Sequence, residues 1–247
     1  MLISFFEEFP SDESFEKLKL IDFPTKLYIA AISIKEFTEI KNKIKNKNVK
    51  QVIYWPILPI REGYYFSPWV RTRILERFFK NINNEPIMLD FELPRNRKLI
   101  LTQSFSFFKN RYLIRKFIKE YKNEKYSAEY LPEKGFISNQ MKFFGLSYSP
   151  IVYGNKIIKM FYRSLHYINN ERFKEELHYG RILYKDNFLV GLGCIDTGIN
   201  KTEKILKPKQ LEEDLKICKN LKVTEVVIYR LNGLNQDYLR KIKNINQ

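Results

Sequence analysis

The chain has 247 residues, 44% of them hydrophobic, with 44 Lys and Arg against 28 Asp and Glu for a net charge of +16. That apolar content excludes a globally disordered chain, while two cysteines (Cys194, Cys218) and two histidines (His166, His178) exclude a disulfide scaffold and a histidine-rich metal centre. The opening MLISFFEEFP lacks a basic n-region, and no apolar run approaches the ~20 residues of a membrane span, so the expectation is a soluble, cytoplasmic protein.

Short apolar runs, the mark of buried strands, alternate along the chain with longer stretches of helical period. A strand at Leu2–Phe6 precedes a helix at Ser11–Leu20, and Lys26–Ala31 precedes Ser33–Asn46. Gln51–Leu58 is followed by Pro68–Ile82, and Pro86–Leu93 by Arg97–Asn123. The fifth unit, Tyr126–Leu131 with Ser138–Gly145, has the shortest helix of the series. Lys156–Leu165 with Asn169–Tyr184, Phe188–Ile195 with Pro208–Leu221, and Glu225–Leu231 with Gln236–Ile245 complete it. Ser11, Ser67-Pro68 and Lys207-Pro208 are the helix-start signals: a capping hydroxyl, or proline at the first helical position. The last strand, EVVIYRL, is β-branched and nearly all apolar, as a strand covered on both faces must be.

Eight β/α units without an internal linker predict an α/β protein with a single (β/α)8 TIM barrel over residues 1–247. The same alternation permits an open doubly wound sheet. Against that, FFEEFP after the first strand holds no glycine for a phosphate loop.

In such a barrel the C-terminal strand ends form the functional mouth. They read Glu7-Glu8, Tyr54-Trp55-Pro56, Asp90-Phe91-Glu92, Glu129-Tyr130, Tyr162-Arg163-Ser164, Asp196-Thr197 and Tyr229-Arg230. Carboxylates, tyrosines, arginines and a tryptophan suit a carbohydrate, whose rings stack on aromatic faces and whose hydroxyls bond charged groups. Glu7, Trp55, Glu129, Arg163, Asp196, Tyr229 and Arg230 are therefore the candidate substrate-binding residues. The PIMLDFELP segment is the sharpest element. Residues two apart on a strand share a face, so Asp90 and Glu92 point the same way, and their repulsion raises one pKa. A carboxyl that keeps its proton near neutral pH can protonate a leaving group. The competing reading pairs Asp90 or Glu92 with Arg163 or Arg230 in a buried ionic layer. Trp55 is open to either ligand contact or packing, Trp69 reads as core, and His166 as a hydrogen-bonded structural group.

These strands resemble those of chitinase-type glycoside hydrolases, barrels whose fourth strand ends in Asp-x-Asp-x-Glu and whose sixth carries Met-x-Tyr-Asp. Here Met88-Leu89-Asp90-Phe91-Glu92 keeps the last Asp-x-Glu, and Met160-Phe161-Tyr162-Arg163 keeps Met-x-Tyr with arginine in place of aspartate. The resemblance implies Glu92 as general acid, Asp90 as the residue orienting a substrate acetamido group, and Tyr162 as its support. Arg163 would instead suit an anionic substituent or neutralise Asp90. A second enzyme carboxylate opposite Glu92, drawn from Glu7, Glu8, Glu129 or Asp196, is the other mechanism these residues allow.

The sequence thus points to a glycoside hydrolase-like, carbohydrate-active barrel needing no cofactor or metal, with a carbohydrate or other small polar ligand as partner. The alternative is a non-catalytic barrel that binds a glycan or an anionic polymer, nucleic acid included, through lysine-rich stretches such as Lys35–Lys50 and Lys109–Lys119. Nucleic acid is the less favoured partner, because no recognition helix, RNA-binding signature or Cys/His finger is present.

Overall fold

The computed structural model describes every residue except Asn83, Leu131, Glu133 and Gln247. Eight parallel strands close into a barrel in sequence order, each hydrogen-bonded to the next and β8 to β1. The strands are β1 (Leu2–Glu7), β2 (Thr25–Ala31), β3 (Val49–Pro56), β4 (Ile87–Phe91), β5 (Lys125–Glu129), β6 (Lys156–Phe161), β7 (Phe188–Gly193) and β8 (Glu225–Tyr229). The helices are α1 (Asp12–Glu16), α2 (Ile34–Lys43), α3 (Thr72–Asn81), α4 (Lys98–Thr102), α5 (Phe107–Glu120), α6 (Gly135–Phe143), α7 (Pro150–Tyr153), α8 (Asn170–Tyr184), α9 (Pro208–Asn220) and α10 (Gln236–Asn246). This is the (β/α)8 barrel read from the alternation of elements, and no sheet edge is left open.

Side chains divide by strand alternation. One set, including Phe6, Tyr28, Trp55, Met88, Tyr126, Met160, Tyr162 and Tyr229, fills the lumen. The other, including Ile3, Phe5, Leu27, Phe161, Val190 and Ile228, packs beneath the helices. The lower lumen is closed by a polar layer around Glu225, whose carboxylate accepts from Ser4 Oγ at 2.7 Å and Tyr28 Oη at 2.9 Å and pairs with Lys26 Nζ at 3.1 Å.

Local signals held in some places and moved in others. Ser11 caps α1 in a capping box with Ser14, and Pro208 opens α9. Ser67-Pro68 does not open α3, which begins at Thr72; the segment instead makes a turn closed by Val70 N–H to the Ser67 carbonyl at 3.1 Å. The long helix expected over Arg97–Asn123 breaks into α4, a 3-10 turn at Ser104–Ser106 and α5, with Ser104 Oγ donating to the Leu101 carbonyl at 2.9 Å at the break. The fifth strand spans Lys125–Glu129, and its expected end at Leu131 lies outside the described residues.

The widest departure from a regular barrel lies between β3 and β4, which share a single register pair, Tyr54 with Ile87. The chain after β3 fills the gap. Gly63 at φ 117°, a conformation that favours glycine, turns it back, and Phe66 N–H donates to the Asp90 carbonyl at 2.9 Å. Tyr64 and Tyr65 are thereby carried to the rim beside β4.

Candidate active site

At the C-terminal end of the barrel a small cavity, partly open to solvent, is walled by Glu8, Trp55, Tyr65, Asp90, Glu92, Tyr130, Met160, Tyr162, Cys194 and Tyr229. Ile199, Asn200 and Glu203 from the loop after β7 and Leu165 after β6 complete the wall. Strand alternation accounts for the composition. On β4, Leu89 and Phe91 face the helices, so Met88 and Asp90 face the lumen and Glu92 follows at the rim.

Asp90 is buried, and its Oδ1 has no hydrogen-bond partner among the described residues. Burial, and then the charges of Glu92 and Glu8, hold its carboxyl well above the usual carboxylate range. Glu92 is pushed up to about 8, chiefly by burial; Tyr130 Oη, donating to Oε2 at 3.2 Å, works in the opposite direction, and Glu8 adds to the rise. No ion pair reaches either residue among the described residues, and burial favours the protonated form of both. Glu8 accepts from Tyr64 Oη at 2.7 Å and from Tyr229 Oη, yet burial still raises its pKa. Four carboxyl groups, Glu203 included, thus border one cavity beside several phenols; Arg95 and Arg97 act on Glu92, and Arg230 on Glu8, only through space, without an ion pair among the described residues. Trp55 is 3% exposed, with its indole Nε1 buried and without a hydrogen-bond partner.

The sequence-selected residues fall into two groups. Asp90, Glu92, Tyr162, Trp55 and Tyr229 meet at the cavity wall. Glu7, Glu129, Arg163, Asp196 and Arg230 do not line it. Glu7, on the opposite face of β1 from Phe6 and Glu8, pairs with Arg230 Nη1 at 2.7 Å and accepts from Asn232 N–H at 2.9 Å. Arg230 also pairs with Asp196 Oδ2 through Nη2 at 2.8 Å, which makes a three-residue ionic clamp between β1, β7 and β8. Glu129 pairs with Lys159 Nζ at 3.1 Å, both fully buried, and accepts from Tyr148 N–H at 2.8 Å.

Arg163 does not neutralise Asp90 but turns to the helix side of the barrel. Its Nη1 pairs with Asp214 of α9, Nη2 donates to Asn170 Oδ1 at 2.7 Å, and Nε donates to the Ile168 carbonyl at 2.9 Å. Tyr162 faces the lumen, so its neighbour in the chain must face the helices. The buried ionic layer joining Asp90 or Glu92 to Arg163 or Arg230 is likewise absent among the described residues.

The candidate binding set drawn from the sequence took Glu7 rather than Glu8 and left out Tyr130, although both stand among the strand ends, and Asn200 and Glu203 were not singled out. Alternation supplied a signal for two of these: Glu8 shares a face with Phe6, and Tyr130 with Ala128, both lumen residues. Cys194 lies in the cavity wall, its thiol pushed up to about 12 by burial. Trp69 packs in the core against Phe107 and Phe144, ring centroids 5.1 and 5.8 Å away. No cluster of three or more His, Cys, Asp or Glu with metal-binding geometry occurs among the described residues. Nor is any described helix long and apolar enough to cross a membrane.

No protein-family model matches the chain, and no curated protein matches its sequence. Its fold is similar to that of solved structures. A GH18 chitinase from Pseudoalteromonas aurantia aligns at TM-score 0.60 and 11% identity, over 99% of this chain and 100% of the other. The PgaB (BpsB) glycoside hydrolase domain from Bordetella bronchiseptica gives 0.56 and 10%, covering 99% and 96%. A D-tagatose 3-epimerase-like protein gives 0.52 and 10%, covering 100% and 96%. The chitinase-type resemblance read on the fourth and sixth strands agrees with the first two; at these identities the likeness itself is one of fold.

Proposed function

We propose that this protein is a carbohydrate-active barrel of glycoside hydrolase type in which Glu92 is the general acid. The observation that carries the reading is the place of Glu92, in an aromatic-walled cavity beside a buried Asp90. A rim carboxyl with a pKa near 8, beside a buried Asp90 without a counter-charge, holds a proton at neutral pH and faces a cavity walled by Trp55, Tyr65, Tyr130, Tyr162 and Tyr229. In the proposed reaction Glu92 gives its proton to the glycosidic oxygen as the bond to the anomeric carbon breaks and water, or first a carboxylate, bonds to that carbon, while Asp90 with Tyr162 positions the sugar being attacked. Of the carboxylates considered as a second enzyme group, Glu8 alone borders the cavity and is the candidate partner. Both cysteines are free and buried, as suits a cytoplasmic setting.

The test is hydrolysis of a panel of aryl glycosides and oligosaccharides, N-acetylated ones included, by the wild type and by Glu92→Gln. Turnover lost in a variant that keeps the wild-type melting temperature supports the acid. Full activity in Glu92→Gln removes it. Binding of an oligosaccharide by the wild type without turnover would make the barrel a glycan-binding module, and salt-sensitive affinity for a polyanion alone would favour the basic surface as the functional part.

A further inference from the structure

The most unusual surface of the molecule lies beside the mouth. Ten of the eighteen large apolar side chains exposed among the described residues fall between Leu101 and Val152. Phe105 is 100% exposed and Leu101 78%, both in the segment that leads from β4 into α5. Along α5 itself, Phe108, Tyr112 and Lys116 recur every four residues on one exposed stripe, with Lys109 next to it. Across from this stripe α6 presents Phe136 and Phe143, seven residues apart on one face and 75% and 51% exposed. The two parts are joined: the Phe107 and Phe143 rings lie 6.3 Å apart, and the Arg111 guanidinium sits over Phe143 at 5.4 Å. A soluble domain seldom raises so many phenyl rings into water without a partner.

The charge of the same stretch is one-sided. From Leu93 to Lys119 the sequence holds eight Lys and Arg and no Asp or Glu. Arg111 and Arg115 each keep a buried Nε without a hydrogen-bond partner among the described residues, and their mutual repulsion adds to the burial that lowers the Arg111 pKa. Protruding aromatic and aliphatic groups set among cations match the two-layered chemistry of an anionic bilayer surface, where apolar tips enter the acyl boundary and lysines stay with the headgroups. A second copy of the chain fits poorly, because a twofold contact would set one cationic face against another. A nucleic acid would use the lysines but leave Leu101 and the α6 phenyl rings without a role.

We infer that the face built from α4, α5 and α6 docks peripherally on an anionic phospholipid membrane. Since α4 follows the C-terminal end of β4 and α6 that of β5, docking would hold the rim of the cavity near the lipid surface. The inference does not depend on what the cavity binds.

Sedimentation with vesicles tests it. The wild type is expected to bind vesicles of phosphatidylserine and phosphatidylcholine in roughly a 3:7 ratio, to bind phosphatidylcholine alone far more weakly, and to release as salt rises. Phe105→Ser combined with Phe108→Ser, and separately Lys109→Ala combined with Lys116→Ala, should each lower partitioning by about tenfold or more at an unchanged melting temperature. The assignment is overturned if the wild type stays in the supernatant or if both variants bind undiminished. Loss in the lysine variant alone would reduce the effect to general attraction of a basic protein and would also overturn the docking face. Binding of a short RNA duplex, or dimerisation, that depends on these residues in the absence of vesicle binding would replace the membrane as partner.

Discussion

Arg163 and Asp214 form the ion pair that takes the arginine away from the lumen: the guanidinium leaves the end of β6 on its helix-facing side and meets a carboxylate of α9 that is itself fully buried. This pairing keeps Arg163 away from the acid cluster of the mouth, and it ties the sixth unit of the barrel to the seventh. Removing one partner strands the other in a low-dielectric setting, which costs about 3–5 kcal/mol in comparable pairs. Asp214→Asn should therefore lower the melting temperature by roughly 6–15 °C while leaving the pH profile of any turnover in place. A calorimetric scan beside a rate profile reads both. An unchanged melting temperature would show that the pair is dispensable.

The protonation of Glu92 fixes the direction of the pH response. A general acid works below its pKa, so kcat/KM should be sustained through neutral pH and fall as pH rises through about 8. A profile that instead falls below pH 6 on the acid side, with no alkaline loss near 8, would assign the proton to another group.

Tyr130 tunes that limb. Its hydroxyl donates to Glu92 and so favours the charged form of the acid. In Tyr130→Phe the alkaline fall of the rate should move up by about half a unit to one unit, the equivalent of one hydrogen bond of ~1 kcal/mol. A downward move would mean that the phenol acts on the neutral form.

The same shifts bear on stability. With their folded pKa values raised, Asp90 and Glu92 hold protons that the unfolded chain gives up, so the folded state loses stability as pH climbs from the ordinary value near 4.5 toward about 8. For Glu92, which keeps some solvent contact, the loss is on the order of 1–3 kcal/mol. The double variant Asp90→Asn, Glu92→Gln should be more stable than the wild type at pH 8 and close to it at pH 4, as melting curves at the two pH values would show. Equal differences at both would refute the linkage.

Much of the barrel was legible because its signal is repeated. Eight apolar runs alternate with helical stretches, and errors at single boundaries, such as the serine-broken helix before Phe107, do not alter the count. The site was legible where spacing decides orientation: Asp90 and Glu92 are two apart, so they share a face whichever face that is. At Glu7-Glu8 adjacency guarantees that one carboxylate faces the lumen and the other the helices, and the choice depends on the register of β1 against β8, which is a long-range property. The same dependence turned Arg163, Arg230 and Glu129 outward. The aromatic crowding after β3 marks that loop in the sequence, but Tyr65 reaches the cavity only because the chain folds back and bonds to β4 through Phe66, a long-range contact.

The polar layer around Glu225 has a consequence for traffic. With Lys26, Tyr28 and Ser4 bonded to that carboxylate, the floor of the lumen is shut, and the barrel is a vessel with one opening. Whatever enters past Trp55 and Tyr65 must leave by the same route. A long chain could then be engaged only from its end or along the rim, never threaded through.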